Sequence, residues 1–557
     1  MLKKIPPGVR LHSKMITFIL RASFICAFIF QTSIGYGQEV YQHVSNTDIY
    51  DFLDELANAN VISIYSAVKP YSRMLIAEKL HEAEGKREAL NHRQQKELDF
   101  YLKDYNKELK PDKKFDKRLD LLYYKDSLFT LSINPVIGGT LYSNKLIHSM
   151  YHRWNGAEAF AYVGENFGFY ASLRDNHENK RLADPSYLNQ FPAAEYKVDG
   201  VSEQGDYSEM RGGLTYTWKW GSVGLIKDHF VWGDNYHGAN IFSGHTPSFT
   251  HLRLHMHPVR WLDFNYVHGW LVSQVVDSAN SYYNLPGYRL VFHPKYLAAN
   301  MLTLSPWRNF DVSLGNSIIY SDKNVQPAYL IPFFFYKSVD HSLSGAGSNY
   351  LGENSQMFFN ISSRQIKNVH LYTSFFVDEI SFSNMFDSQN QSNIFSGKIG
   401  GRLSNCIVPN LFLTAEYTRT NPIVYRHYIK TSTFASNLYN LGHYLGDNAQ
   451  EIYLAVGYKP MAKLVTEVSY SVAQKGFEYL YDGQAGAGSG HGDPFIDYYY
   501  WQATELSVKA QYQVINDCYL NAGLLISDHH GLMVDTYTQP YFRGKQTTIS
   551  VGANIGF

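Results

Sequence analysis

"ELSVKAQYQVIND", Glu505 to Asp517, sets Leu506, Val508, Ala510, Tyr512 and Val514 against Glu505, Ser507, Lys509, Gln511 and Gln513. A period of two puts the first set on one face of an extended strand and the second set on the other. The closing Ile-Asn-Asp is a tight link into a further alternating run. A soluble sandwich produces such strands as readily as a membrane barrel does, so the links carry the decision.

"HLRLHMH", "EIYLAVGY" and "LFLTAEY" repeat the alternation, and about eighteen candidate strands run from residue 128 to the end of the chain. The links after even-numbered strands are tight: "ENFG", "KWGS", "HPVRW", "PWRN", "QIKN", "IVPN", "KPMAK" and "IND". Those after odd-numbered strands are mostly long. Sorting of loop length by parity is the pattern of a transmembrane antiparallel β-barrel, with short turns on the periplasmic side and long loops outside. A sandwich has no reason to sort its loops this way.

The last run, "TTISVGANIGF", aligns Ile549, Val551, Ala553, Ile555 and Phe557 on one face. Phe557 is expected to close the final strand with its ring at the periplasmic interface, where aromatics are favoured. A terminal aromatic also resembles the signal by which the bacterial barrel assembly machinery recognises its clients, which makes that machinery an expected partner.

Composition narrows the classes. The chain has 557 residues, a formal charge of -1, 16% aromatic residues and 45 tyrosines. Near-neutrality argues against nucleic acid as a partner, while abundant aromatics with modest hydrophobicity suit a barrel with two aromatic girdles. After residue 37 no apolar run approaches the roughly 20 residues of a spanning helix, so a membrane location requires a closed barrel in contact with outer-membrane lipid. Lys3, Lys4, Arg10 and Lys14 precede "MITFILRASFICAFIF" and "SIGYGQEV", which reads as a signal peptide over 1–37 cut after about Gly37. Cys406 and Cys518 then remain, too few for a disulfide framework or a cysteine-based zinc site.

Residues 38–120 have a helical period. Ile49, Phe52, Leu53 and Leu56 form one stripe, with Ser45 or Thr47 as N-cap. Leu75, Ile76 and Leu80 form a second behind Ser72, and Leu98, Tyr101, Leu102 and Tyr105 a third. Each stripe is too narrow to make a core alone, so a three-helix periplasmic bundle packed on the barrel of 121–557 is expected.

"KDHFVWGDNYHGANIFSGHTPSF", Lys227 to Phe249, is the densest group of chemistry-bearing residues. Its carboxylates and imidazoles match no metal motif, and Gly233, Gly238 and Gly244 mark backbone turns. A structural loop or sugar-contacting surface is favoured over catalysis, with Trp232, Asp234, Tyr236 and His237 as candidate contacts. His251, His255 and His257 fall on a lumen-facing register and suit a polar network better than a chelate. The loop containing "DGQAGAGSGHGDP" leads to "DYYYW", where Tyr498, Tyr499, Tyr500 and Trp501 offer faces for stacking on sugar rings. The outer aromatic girdle is the competing account for Tyr499 and Trp501. "AYLIPFFFYKSVDHSL" is too apolar for a solvated loop, so it is expected inside the barrel or across its mouth. No GxSxG and no phosphate-cradling glycine loop occurs, and neither catalytic residues, a metal nor a cofactor is expected.

"YDFLDELANANVI…PYSRMLIAEKL", "FVWGDNYHGANIFSGHTPSF" and "AYLIPFFFYKSVD" resemble the capsule assembly protein Wzi family in its Bacteroidota branch, over the helices and the barrel to about residue 360. Trp232–Gly233 and His237–Gly238 are the most family-specific pieces. The resemblance implies an eighteen-stranded outer-membrane barrel with a periplasmic bundle. It also implies a lectin-like, non-enzymatic role in holding capsular or other extracellular polysaccharide at the cell surface. The alternatives are a channel or porin for small solutes and a surface protein serving gliding motility.

Overall fold

A computed structural model describes residues 38–109, 120–197, 203–285, 287–344, 352–379, 393–479 and 493–556. The expected signal peptide, Phe557 and most of the glycine-rich stretch before Pro494 lie outside the described residues. Among the described residues, eighteen antiparallel strands close into one barrel. They are β1 (Phe129–Ser143), β2 (Met150–Val163), β3 (Phe167–Glu178), β4 (Gly205–Trp218), β5 (Gly221–Asp228) and β6 (Phe249–Val259). Next come β7 (Leu262–Val276), β8 (Phe292–Trp307), β9 (Phe310–Ser321), β10 (Asn354–Ser363), β11 (Val369–Glu379) and β12 (Ile394–Ser404). The rest are β13 (Leu411–Thr420), β14 (Ala449–Met461), β15 (Leu464–Lys475), β16 (Trp501–Ile515), β17 (Cys518–His530) and β18 (Gly544–Ile555).

Each strand pairs with its neighbours in sequence, and β18 closes on β1 through Ile549–Ile555 against Ile137–Ser143. Below that seam Leu122–Lys125 pairs with Thr130–Ile133 and covers the edge that β18 does not reach. The tight links occur where parity placed them. Exposed Phe167, Tyr216, Trp261, Trp307 and Tyr458 flank them as an aromatic girdle. On β18 the apolar set Ile549, Val551 and Ile555 faces outwards, while Thr548 and Asn554 are buried inside.

The helices plug the tight-turn end. They are α1 (Thr47–Asn58), α2 (Arg73–Glu84) and α3 (His92–Tyr105). Ser72 caps α2 through the Leu75 amide (3.1 Å), and Asn91 with Gln94 forms a capping box on α3. At α1 the expectation fails: the cap is Asn46 rather than Ser45 or Thr47, and its side chain makes no cap bond. The Asn46 amide instead donates to Asp517 in the turn between β16 and β17 (3.2 Å), giving up local capping for docking. Five further turns hold the plug. The Asn309 amide donates to Asn60 (2.6 Å), the Asn368 N–H to the Asn58 carbonyl (2.5 Å), and Asn91 and Arg93 to Asn410. Tyr65 donates to the Arg260 carbonyl (2.5 Å), and Gln38 to that of Gly164 (2.5 Å). Wall cations meet the acidic helices: Arg364 reaches Asp54 (3.1 Å), Arg402 reaches Asp51 (2.9 Å) and Lys459 reaches Glu97 (3.0 Å).

The segment "AYLIPFFFYKSVDHSL" does not enter the lumen. Leu225, Leu252, His268, Ala298 and Ile318 stand side by side across β5 to β9, and Leu225 is 53% exposed, so this row is the outer face. Residues 327–344, including the helix α4 (Tyr336–Ser344), lie against that outer face over β7, β8 and β9. Phe333 stacks on Phe264 (4.7 Å). The Asn300 amide donates to the carbonyls of Pro332 (2.8 Å) and Phe334 (3.0 Å), and the Tyr336 N–H donates to Asn316 (2.9 Å). Unsatisfied amides facing hydrocarbon cost several kcal/mol each, and this strap removes that cost for Asn300 and Asn316. Lipid absorbs an apolar loop as well as a lumen does, and periodicity does not distinguish the two.

Two outcomes follow from this packing. A tryptophan replacing Phe333, itself 65% exposed, should add emission that acyl-brominated lipids quench and aqueous iodide does not. Iodide quenching would mean that the strap stands in water. Burial pushes the Asp48 carboxyl on α1 up to about 7, against the Lys459 ammonium that pulls it down. Its contribution is therefore complete below its ordinary value of 3.8 and is lost as pH rises through about 7. Asp48→Asn should raise the thermal midpoint of the folded protein at pH 8, by about 1–4 kcal/mol of stability, and leave it unchanged near pH 4.

Candidate functional site: an inward loop and an aromatic rim

The connection 229–248 turns into the barrel. Val231–Trp232 pairs antiparallel with Val68–Lys69 of the plug, and the Gly233 N–H donates to the Ala67 carbonyl (2.8 Å). Gly233 has φ +93° and Gly238 φ +62°, left-handed positions that suit glycine. A Cβ on Gly238 would also sit 2.9 Å from the His443 ring. The loop carries Phe230, Trp232, Ile241 and Phe242 into a core with Phe358, Phe376, Tyr425 and Phe434. Trp232 is 1% exposed and meets Phe242 edge-on at 5.2 Å.

The polar candidates point to the opposite wall. Asp234 accepts from the Asn360 amide (2.7 Å). The Tyr236 hydroxyl meets His370 Nδ1 (2.8 Å), and the Arg402 guanidinium lies 3.6 Å over its ring. The His237 ring stacks on Tyr453 (3.9 Å, 7°), with Nε2 3.1 Å from Glu451. Glu416 on β13 is the hub: it accepts from the Tyr236 N–H (2.6 Å), the His237 N–H (3.2 Å), Lys398 Nζ (2.7 Å) and the Tyr372 hydroxyl. Glu416, Lys398, Arg402 and Glu451 escaped sequence reasoning. Their one signal is charge at lumen-facing strand positions, which a water-filled barrel would show equally. In the histidine series, His255 bonds Asp263 (2.7 Å) and His251 lies beside the Phe249 carbonyl (3.1 Å), a polar network as expected.

The rim candidates divide. Tyr498 and Tyr499 are 55% and 49% exposed, beside Phe477 at 47%. Tyr500 bridges them, edge-on to Tyr498 (5.4 Å) and tilted against Phe477 (5.6 Å). Trp501 is buried, its indole donating to Thr538 (2.8 Å), so it belongs neither to the rim nor to a girdle. The structure thus separates the eight sequence candidates into an interior group and an exposed aromatic group.

No protein-family model matches the chain, and no curated protein sequence does. Among solved structures the barrel is similar to Wzi of Escherichia coli, described as a carbohydrate-binding β-barrel involved in group 1 capsule assembly. That similarity has a TM-score of 0.54 at 12% identity and covers 94% of this chain and 99% of that one. OccD3 (OpdP) of Pseudomonas aeruginosa follows at TM-score 0.42 and 13% identity, over 76% of this chain and 90% of that one. These likenesses concern the fold.

Trp232→Ala should behave as a core substitution. It should lower stability by about 3–5 kcal/mol and reduce the yield of heat-modifiable barrel. Unchanged stability would place the indole outside the packed core.

Proposed function

We propose that the protein is a non-enzymatic outer-membrane component that holds extracellular polysaccharide at the cell surface. The observation that carries this is the exposed aromatic group Phe477, Tyr498 and Tyr499 on the long-loop side of the barrel. Flat aromatic rings stack on the apolar faces of sugar rings, while the two tyrosine hydroxyls bond to water or sugar. Single contacts of this kind are weak, and a polymer gains avidity by meeting many copies at once. The fold likeness to a carbohydrate-binding barrel agrees with this reading.

A porin for small solutes is the competing reading. Against it stand the plug at the tight-turn end and the apolar core formed by loops 229–248 and 421–448 within the lumen. In planar bilayers the intact protein should be nearly silent; large, stable channels would favour the porin. Replacing Phe477, Tyr498 and Tyr499 together with alanine should leave the barrel heat-modifiable while cells shed polysaccharide into the medium. Retention equal to the parent by a folded variant would discard this surface. Retention after deletion of the whole gene would discard the anchoring role.

A further inference from the structure

Three segments distant in sequence meet on the lumen side of β4 and β5. His43 comes from the stretch leading into α1, Glu209 from β4, and Asp228 and His229 from the end of β5 and the start of the inward loop. His43 Nε2 faces His229 Nδ1 at 3.0 Å. Two imidazole lone pairs at that distance repel unless a proton or a cation lies between them. Asp228 Oδ1 completes a triangle, 3.8 Å from the first nitrogen and 3.7 Å from the second. The point equidistant from all three lies about 2 Å from each, the length of a zinc–imidazole or zinc–carboxylate bond.

We propose that His43, His229 and Asp228 form a binding site for a divalent transition-metal ion that staples the plug and the inward loop to the barrel wall. The outer partners suit it. His43 Nδ1 bonds Ser45 Oγ, with the Ser45 N–H 3.3 Å from the same nitrogen, and His229 Nε2 lies 3.5 Å from Glu209, so each far nitrogen has an oxygen beside it that can accept its proton when the near nitrogen ligates. The other Asp228 oxygen accepts from Tyr170 (2.8 Å), while Oδ1 also accepts the His229 backbone N–H (2.8 Å). Arg211 lies 3.6 Å from Asp228 and 4.0 Å from Glu209. Arg174 also bonds Glu209 (2.7 Å), so two guanidiniums balance the two carboxylates and the ion would be held by the ligand atoms themselves rather than by excess charge. A cavity of about 50 Å³ lined by His43, Tyr170 and Arg211 adjoins the triangle and has room for water in an open coordination position. Two imidazoles and a carboxylate without thiolate favour zinc and its first-row neighbours over calcium or magnesium.

The ligands are scattered, so no sequence spacing announces the site. The test uses the folded full-length protein in detergent, stripped with a chelator and titrated with Co²⁺. One equivalent should give saturable visible d–d absorption without a thiolate charge-transfer band, and Zn²⁺ should displace it. His43→Gln and His229→Gln keep polar side chains of similar reach. Each should weaken binding at least tenfold while the barrel stays heat-modifiable. Zn²⁺ should also slow proteolytic release of the plug in the parent and not in these variants. The absence of a saturable signal, or a signal that persists in the folded double variant, overturns the proposal.

Discussion

The contact on which the rest of the structure depends lies between the acidic face of α1 and the cationic lumen wall. Eighteen strands enclose a space too wide for their own side chains to fill, so inserted chain must fill it. Asp51, Asp54 and Glu55 project from one helix towards Arg402, Arg364 and Lys459, which belong to separate parts of the wall. The Arg364–Asp54 and Lys459–Glu55 pairs are buried, and such pairs return little net stability, because desolvation consumes most of the attraction, but a mismatched charge there costs several kcal/mol. They therefore fix how the plug sits. The apolar cluster of Phe52, Leu53, Leu56, Leu80 and Leu98 supplies cohesion among the helices, and the charges supply orientation.

That orientation reaches the middle of the barrel. The strand-like stretch Val68–Lys69 between α1 and α2 is the template on which Val231–Trp232 pairs. Trp232 then sets the apolar core, and the following residues deliver two backbone N–H groups to Glu416. Loop 421–448 closes over the same core through Val424, Tyr425 and Phe434. Plug, inward loop and covering loop thus form a stack in which each layer is shaped by the one beneath. A shift of α1 would be felt at His237, three contacts away.

Period-two alternation reports that a strand has two unlike faces, and parity of loop length reports a closed barrel with two unlike ends. Both signals were strong here, so strand number, helix number and the Ser72 cap were legible. Alternation does not report which non-aqueous environment an apolar stretch enters. Residues 328–336 lie on the outer face of the wall, and Phe230 to Phe242 lie in the lumen core, yet the two stretches look alike as sequence. The Asn46 cap was missed because its side chain serves a turn 471 positions away, and local capping rules see only neighbours. The exposed Tyr498 and Tyr499 were legible as an aromatic run. The burial of Trp501 was not, because it depends on Thr538 and His529 from adjoining segments.

The division between interior and rim constrains where recognition can occur. Residues committed to a packed core pay for any ligand contact with lost packing, and Trp232, Tyr236 and His237 already spend their rings and donors on Phe242, Arg402, Glu416 and Tyr453. Phe477, Tyr498 and Tyr499 have no such commitment on their outward faces, and wetting those faces is unfavourable by about 25 cal/mol per Å². A polymer outside the cell that covers them recovers that cost without disturbing the stack below. Surface chemistry and a filled lumen therefore argue in the same direction: rings at the rim keep a face open to solvent, and rings in the lumen core do not.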